Sequence, residues 1–243
     1  MNLVIDIGNS SSKLAVYSNE SLVESFVVKK LEISDIENLL ARNDNIRRCI
    51  LSSVKKKDSK LISMLHERIE FFLLLDHNTP LPIQNLYKSK STLGYDRIAS
   101  AVGANKLFPD CNLLIIDVGT AITIDIVSAD NAYLGGNISP GLSLRFRSLH
   151  EFTDNLPLVH WEESPGLMGI DTDSAIQSGI LNGIIFELQG YIDRQKLRYS
   201  DLKVFMTGGD AKIFDKKLKN SIFVDSNLNL FGLHRILDYN AEG

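Results

Sequence analysis

Leu3-Val4-Ile5-Asp6-Ile7-Gly8-Asn9-Ser10-Ser11-Ser12-Lys13 opens the chain, followed by Leu14-Ala15-Val16-Tyr17. An apolar run ends in Asp-x-Gly, turns through hydroxyl residues and re-enters a strand-like run. The pattern recurs at Leu113-Leu114-Ile115-Ile116-Asp117-Val118-Gly119-Thr120, followed by Ala121-Ile122-Thr123-Ile124-Asp125-Ile126-Val127. Each copy places one carboxylate at the end of a buried strand, beside a Gly and small hydroxyls. A single Asp-x-Gly makes only a turn. Two copies, both flanked by hydroxyls, point to backbone N–H groups offered to a phosphate and a carboxylate offered to a cation. Lys13 adds positive charge at the first copy.

Working outward, the opening reads as a β-meander over Leu3–Asp6, Ser12–Tyr17 and Ser21–Val28. A helix is expected over Ser34–Ala41, with Ser34 and Glu37 spaced as a capping box. A strand over Arg48–Val54, a helix over Ser59–Arg68 and a strand over Phe71–Leu75 follow. A loop leads to Gly94-Tyr95-Asp96-Arg97 and a helix over Ile98–Leu107. The meander then restarts with Leu113–Asp117, Thr123–Val127 and Ala132–Leu134. After a loop rich in Pro and Gly, a long helix is expected from about Thr172 to Leu197. Its stripe of Ile176, Ile180, Ile184, Leu188 and Ile192 falls at four-residue spacing. Gly179 and Gly183 beside that stripe suggest a close helix–helix approach. A strand Lys203–Met206, the turn Thr207-Gly208-Gly209-Asp210 and a helix near Leu230–Leu237 close the chain. The expected architecture is α/β with mixed sheets, in two related domains at 1–110 and 111–243.

Composition narrows the function. The 243 residues are 44% hydrophobic and 23% charged, with a net charge of −4, which argues against a nucleic-acid partner. The basic runs Lys29-Lys30 and Lys55-Lys56-Lys57 read as solvated surface. Two cysteines without metal spacing, Cys49 and Cys111, suit reduced thiols in a cytoplasmic protein. No apolar stretch is long enough for a membrane span and no signal peptide is evident, so no membrane partner is expected. The five histidines form no ligand pattern. Neither the P-loop nor the dinucleotide fingerprint is present.

Gly94-Tyr95-Asp96-Arg97 narrows it further. An Asp and an Arg at a helix start often serve only the helix dipole. Together with both hairpins, Asp96 reads as the acceptor of a substrate hydroxyl proton and Arg97 as the clamp for a substrate carboxylate. The order of hairpin, hairpin and glycine turn resembles the acetate and sugar kinase, heat-shock chaperone and actin superfamily. Over nearly its whole length the chain resembles the type III pantothenate kinases. The residues that carry this are Asp6 to Lys13, Gly94 to Arg97, Asp117 to Ala121, Gly135 to Gly141, Gly169 to Thr172 and Ala175 to Gly179.

The resemblance implies two ribonuclease H-like domains of the actin-like ATPase fold, with ATP in the cleft between them. It implies phosphorylation of pantothenate, the first step of coenzyme A synthesis, in a cytoplasmic homodimer. By the same resemblance Asp6, Ile7, Gly8, Asn9, Ser10, Ser11, Ser12 and Lys13 bind ATP phosphates, Thr120 contacts ATP, and Asp96 is the catalytic proton acceptor. Tyr87, Gly94, Tyr95, Asp96, Arg97 and Thr172 line the pantothenate site. Asp117 holds a monovalent cation, potassium or ammonium, and Asp6 positions Mg2+ through water. Ser10, Tyr95, Ile122 and Asp171 depart from the family's usual residues. Two alternatives stand beside this reading: a non-catalytic regulatory relative acting in transcription, and a phosphatase of the same superfamily.

Overall fold

The computed structural model describes residues 1–55, 58–161 and 166–242; Lys56 and Lys57 of the second basic run lie outside the described residues. Contacts divide the chain into two units. The first comprises Met1–Asp110, Asp130–Leu134 and Asn227–Gly243, the second Cys111–Ala129 and Gly135–Ser226. The sequence division at 110/111 places Asn227–Gly243 in the second domain, whereas its contacts are with the first.

In the first unit, β1 (Asn2–Ile7), β2 (Ser12–Ser18), β3 (Ser21–Val28), β4 (Arg48–Ser53) and β5 (Phe71–Leu74) form a sheet in the order β3-β2-β1-β4-β5. The meander pairs antiparallel, and β1, β4 and β5 run parallel. The crossovers between the parallel strands are α1 (Ile33–Arg42) and α2 (Ser59–Arg68), as parallel neighbours require. Side chains alternate across a strand. Leu3 and Ile5 of β1 join Leu14, Val16, Ile36, Leu39 and Leu65 in the core on the α1/α2 side. Asn2, Val4 and Asp6 take the opposite face, and Asn2 there bonds Asp238 at 2.7 Å. Asp238 lies on α7 (Leu228–Ala241), which packs extensively on α3 (Tyr95–Leu107). Parity therefore sends Asp6 to the face that α3 and α7 cover.

The second unit repeats the plan. Its strands β7 (Leu113–Val118), β8 (Ala121–Ser128), β9 (Ala132–Pro140), β10 (Lys203–Thr207) and β11 (Phe223–Val224) run in the order β9-β8-β7-β10-β11. Strand for strand this is the order of the first sheet, with an antiparallel hairpin followed by parallel neighbours. The two-residue β6 (Gln84–Asn85) pairs with the start of β9, at Ala132 and Tyr133 within the first unit. The long helix α5 (Thr172–Arg198) buries the expected stripe Ile176, Ile180, Ile184, Leu188 and Ile192 against Ile116, Ile124 and Met206.

Three local expectations are corrected. Glu32, with Asp35, caps α1, because its extended backbone conformation precedes the first helical residue and Ser34 already lies inside the helix. The loop rich in Pro and Gly contains a further helix, α4 (Leu142–Glu151), which begins just after Pro140-Gly141. Among the described residues no other helix comes close enough to Gly179 or Gly183 to require glycine: a Cβ at Gly179 meets nothing within 4 Å, and one at Gly183 meets only the guanidinium of Arg145 on α4, at 4.0 Å. Both cysteines are free thiols. Among the described residues no helix is long and apolar enough to cross a membrane.

Candidate functional site

In the first unit the site is built on the β1–β2 turn and the start of α3. The turn is closed by Gly8 N–H donating to the Ser11 carbonyl at 3.0 Å, and Asp6 stands opposite Lys13 in the antiparallel register. On its other side Asp6 stands opposite Ser52 of β4. Asp6 is only 9% exposed. Burial pushes its carboxyl up to about 6; Ser52 and Lys13 oppose the rise and the Asp96 carboxylate adds to it. Two acidic groups thus sense each other at the end of a buried strand.

Asp96 and Arg97 occupy the first turn of α3, which begins three residues earlier than the sequence pattern indicates. The Asp96 carboxylate accepts from the Arg97 N–H at 2.9 Å and folds back over Gly94, where a Cβ would collide with it. Arg97 is 5% exposed, and its guanidinium lies 5.7 Å from the centre of the Tyr87 ring. Tyr87 in turn stands 6.1 Å from Tyr133. A buried guanidinium held against an aromatic face keeps its planar fork preorganised. Burial, with Asp76 nearby, raises the Tyr95 phenol above its ordinary range. Five of the proposed substrate residues, Tyr87 and Gly94 to Arg97, therefore share one neighbourhood, and Asp6 reaches it electrostatically.

In the second unit Asp117 ends β7 with the same geometry. Gly119 N–H donates to the Ala121 carbonyl at 3.0 Å, and Asp117 stands opposite Thr123 on one side and Thr207 of β10 on the other. The glycine turn after β10 packs onto this hairpin. Gly208 has φ 95°, and a Cβ there would lie 2.5 Å from the Asp117 carboxylate, so both conformation and space require glycine. Asp210 N–H donates to the Val118 carbonyl at 3.0 Å, and burial raises the Asp210 carboxyl. On the other side Gly141 N–H donates to the Thr120 carbonyl at 3.0 Å. The segments Gly135–Gly141 and Thr207–Asp210 thus brace the second hairpin from two directions.

Thr172 opens α5 and lines a cavity of about 630 Å³ with Arg145, Ser148, Ile176 and Gly179. Asp171 caps α5: its carboxylate accepts from the Ser174 hydroxyl at 2.6 Å and from Ser174 N–H at 2.8 Å, and these two bonds, the hydroxyl first, hold it below the usual carboxylate range. Sequence reasoning missed Ser52, which only strand pairing brings opposite Asp6, and Asn229, whose amide donates to the Asp96 carbonyl at 3.5 Å.

Among the described residues no group of three or more His, Cys, Asp or Glu is placed to hold a metal. A magnesium site needs only one or two carboxylates, with water and substrate phosphates completing the shell. Asp6 fits that requirement, since it is buried beside a second carboxylate and gains from positive charge.

The type III pantothenate kinase family model matches residues 2–194. The chain belongs to the type III pantothenate kinase family. It is 45% identical over 240 residues to the type III pantothenate kinase of Bacteroides fragilis, covering 99% of this chain and 98% of that one. With the type III pantothenate kinase of Christiangramia forsetii it shares 48% identity over 241 residues, covering 99% of each. Solved structures at lower identity share the fold. A Campylobacter jejuni protein described as a Baf family transcriptional activator superposes with a TM-score of 0.61 at 22% identity, covering 99% of this chain and 100% of that one. The activator of 2-hydroxyisocaproyl-CoA dehydratase from Clostridium difficile, with bound ADPNP, gives 0.54 at 14% identity over 99% and 96%. The type III pantothenate kinases thus supply the chemistry against which these residues are read, and the solved structures supply the fold alone.

Proposed function

We propose that Asp96 accepts the pantothenate hydroxyl proton, that Arg97 clamps its carboxylate, and that Gly8 to Lys13 hold the phosphates of ATP. The reaction itself follows from the family: ATP-dependent phosphorylation of pantothenate, which feeds coenzyme A synthesis. The observation that carries the assignment is the first turn of α3. There a carboxylate and a buried, aromatic-backed guanidinium stand side by side, and the carboxylate acts electrostatically on Asp6.

Phosphoryl transfer asks the protein mainly for positioning and charge neutralisation. Arg97 and Tyr87 fix the substrate through its carboxylate end, which leaves the hydroxyl to Asp96. Lys13, the turn N–H groups and the hydroxyls of Ser10 to Ser12 serve the phosphates. Asp6 would hold magnesium through water, and the ion would offset phosphate charge. We assign Asp117 to a monovalent cation and Thr120 to an ATP contact. Thr172 is assigned to the pantothenate site.

We further propose a cytoplasmic homodimer. The α5 stripe is already spent on its own unit's core, so a partner would use the other apolar groups of this region. Leu167, Met168, Ile170 and Phe186 are exposed large hydrophobic residues there, and such groups mark interaction surfaces.

The test is ADP release with and without pantothenate, by the wild type and by Asp96→Asn. Loss of about 10²–10⁴-fold in pantothenate-dependent turnover is expected, because a general base contributes that much. Retention of wild-type turnover would remove Asp96 from the mechanism. Pantothenate-independent phosphate release would favour a phosphatase instead.

A further inference from the structure

Asn229 lies in the first turn of α7 and is 5% exposed. Its amide N–H donates to the Asp96 backbone carbonyl at 3.5 Å, and its Oδ1 has no hydrogen-bond partner. The opposite amide orientation would set two oxygens against each other, so the chemistry decides which end faces Asp96. For stability alone this is a poor arrangement. A buried amide with one long bond and an orphan acceptor carries a desolvation penalty that a leucine, with the same branched skeleton and no polar atom, would not.

Helix α3 holds a second buried group without a partner. Ser100 stands four residues after Asp96 on α3, is 2% exposed, and its Oγ has no partner. Apolar packing between α3 and α7 would need neither side chain. What Asn229 does reach is the carbonyl of the residue whose carboxylate is assigned the proton. That carbonyl lies in the first turn of α3, where the free backbone groups are N–H groups, so the Asn229 amide is a second donor to an oxygen the helix already uses.

We propose that Asn229 is a positioning residue for Asp96: it grips the Asp96 carbonyl and so fixes the turn from which the carboxylate projects. This rests on the reading of Asp96 as proton acceptor. A displacement of the order of an ångström at a reacting group costs up to about 100-fold in rate. The buried orphan oxygen is then a cost to stability tolerated for function, a trade found at active sites.

The experiment compares Asn229→Leu, Asp96→Asn and the double variant, measuring kcat, both KM values and the melting temperature. Asn229→Leu should lower kcat by about 10- to 100-fold, leave the KM for ATP within about twofold, and leave the melting temperature unchanged or raised. The double variant should turn over no more slowly than Asp96→Asn alone, because the amide acts through a group already removed. Asn229→Ser serves the same comparison if the leucine variant does not fold. Wild-type kcat, a rate loss that tracks a fall in melting temperature, or a double variant slowed by the product of both single effects would each overturn the proposal. Wild-type turnover by Asp96→Asn would instead defeat the reading of Asp96 itself, and the positioning role with it.

Discussion

Gly103 of α3 and Gly232 of α7 meet backbone to backbone. A Cβ on Gly232 would overlap the Ala99 carbonyl and sit 3.0 Å from the Gly103 nitrogen, while one on Gly103 would lie 3.1 Å from the Gly232 nitrogen. Only two glycines allow helices this close. The contact sets the depth at which α3, with Asp96 and Arg97 at its start, is seated against α7.

Gly232→Ala should therefore force the two helices apart. Overpacking of this kind costs about 1–3 kcal/mol. In a chain of this size each kcal/mol corresponds to about 2–4 °C of melting temperature. Thermal unfolding checks the value, and turnover should fall with it because the first turn of α3 shifts. An unchanged melting temperature would mean that the helices separate without cost.

Arg97→Lys keeps the charge but loses the planar fork and its stacking on Tyr87. The KM for pantothenate should rise more than kcat falls, and the KM for ATP should hardly change. Steady-state kinetics with each substrate varied separates these effects. Selective loss of ATP affinity would place Arg97 at the phosphates.

Activity should require a large, weakly hydrated monovalent cation at Asp117. No Lys or Arg lies within the hairpin Leu113 to Ser128, so the hairpin sequence itself brings no side-chain cation to offset phosphate charge. Potassium accepts carboxylate and phosphate oxygens without the strict octahedral geometry that magnesium demands. Replacing potassium by sodium at saturating magnesium and constant ionic strength should depress turnover. Asp117→Asn should lose both activity and the potassium response. Equal turnover in sodium would remove the cation from Asp117.

His234 predicts an acid-side loss of stability. It is 2% exposed and stacked 4.2 Å from Tyr17. Nε2–H donates to the Asn19 carbonyl at 2.8 Å, and Nδ1 accepts from the Asn2 amide at 3.3 Å, so the neutral ring is satisfied at both nitrogens. Burial lowers its pKa below the ordinary 6.5, against the opposing pull of Asp238, the Asn19 carbonyl and Glu20; Arg235 adds to the lowering. A depressed folded pKa gives stability that is complete above about 6.5 and is lost as pH falls through the folded value. The His234 contribution to melting temperature should therefore fall as pH drops below about 6.5, opposite in sign to that of Asp6, whose raised carboxyl favours the folded state as pH falls through about 6. His234→Gln should start lower at pH 7, having lost the stacking, and fall less steeply. Parallel pH profiles would sink the assignment.

Much of the candidate site was legible in the chain itself. Asp6 and Asp117 declare themselves because strand periodicity and the Asp-x-Gly turn are local signals, and Gly94 to Arg97 stands out as a polar cluster at a helix start. The Pro and Gly stretch misled because its glycines serve close backbone packing at the second hairpin, and α4 starts directly after them. Asp171 is a helix cap, which only the α5 geometry reveals.

The sequence by itself determined the duplicated hairpins, most of the helices and strands, and the family. These depend on neighbours within a few residues, where backbone sterics and side-chain period act directly. Tertiary structure alone decided that the last helix belongs with the first unit, that Ser52 stands opposite Asp6, and that Asn229 reaches Asp96 from 133 positions along the chain. A lone Gly103 or Gly232 reads in sequence merely as a weak helix position. Its purpose appears only when the other glycine faces it, because close packing is a property of pairs that chain order does not encode locally.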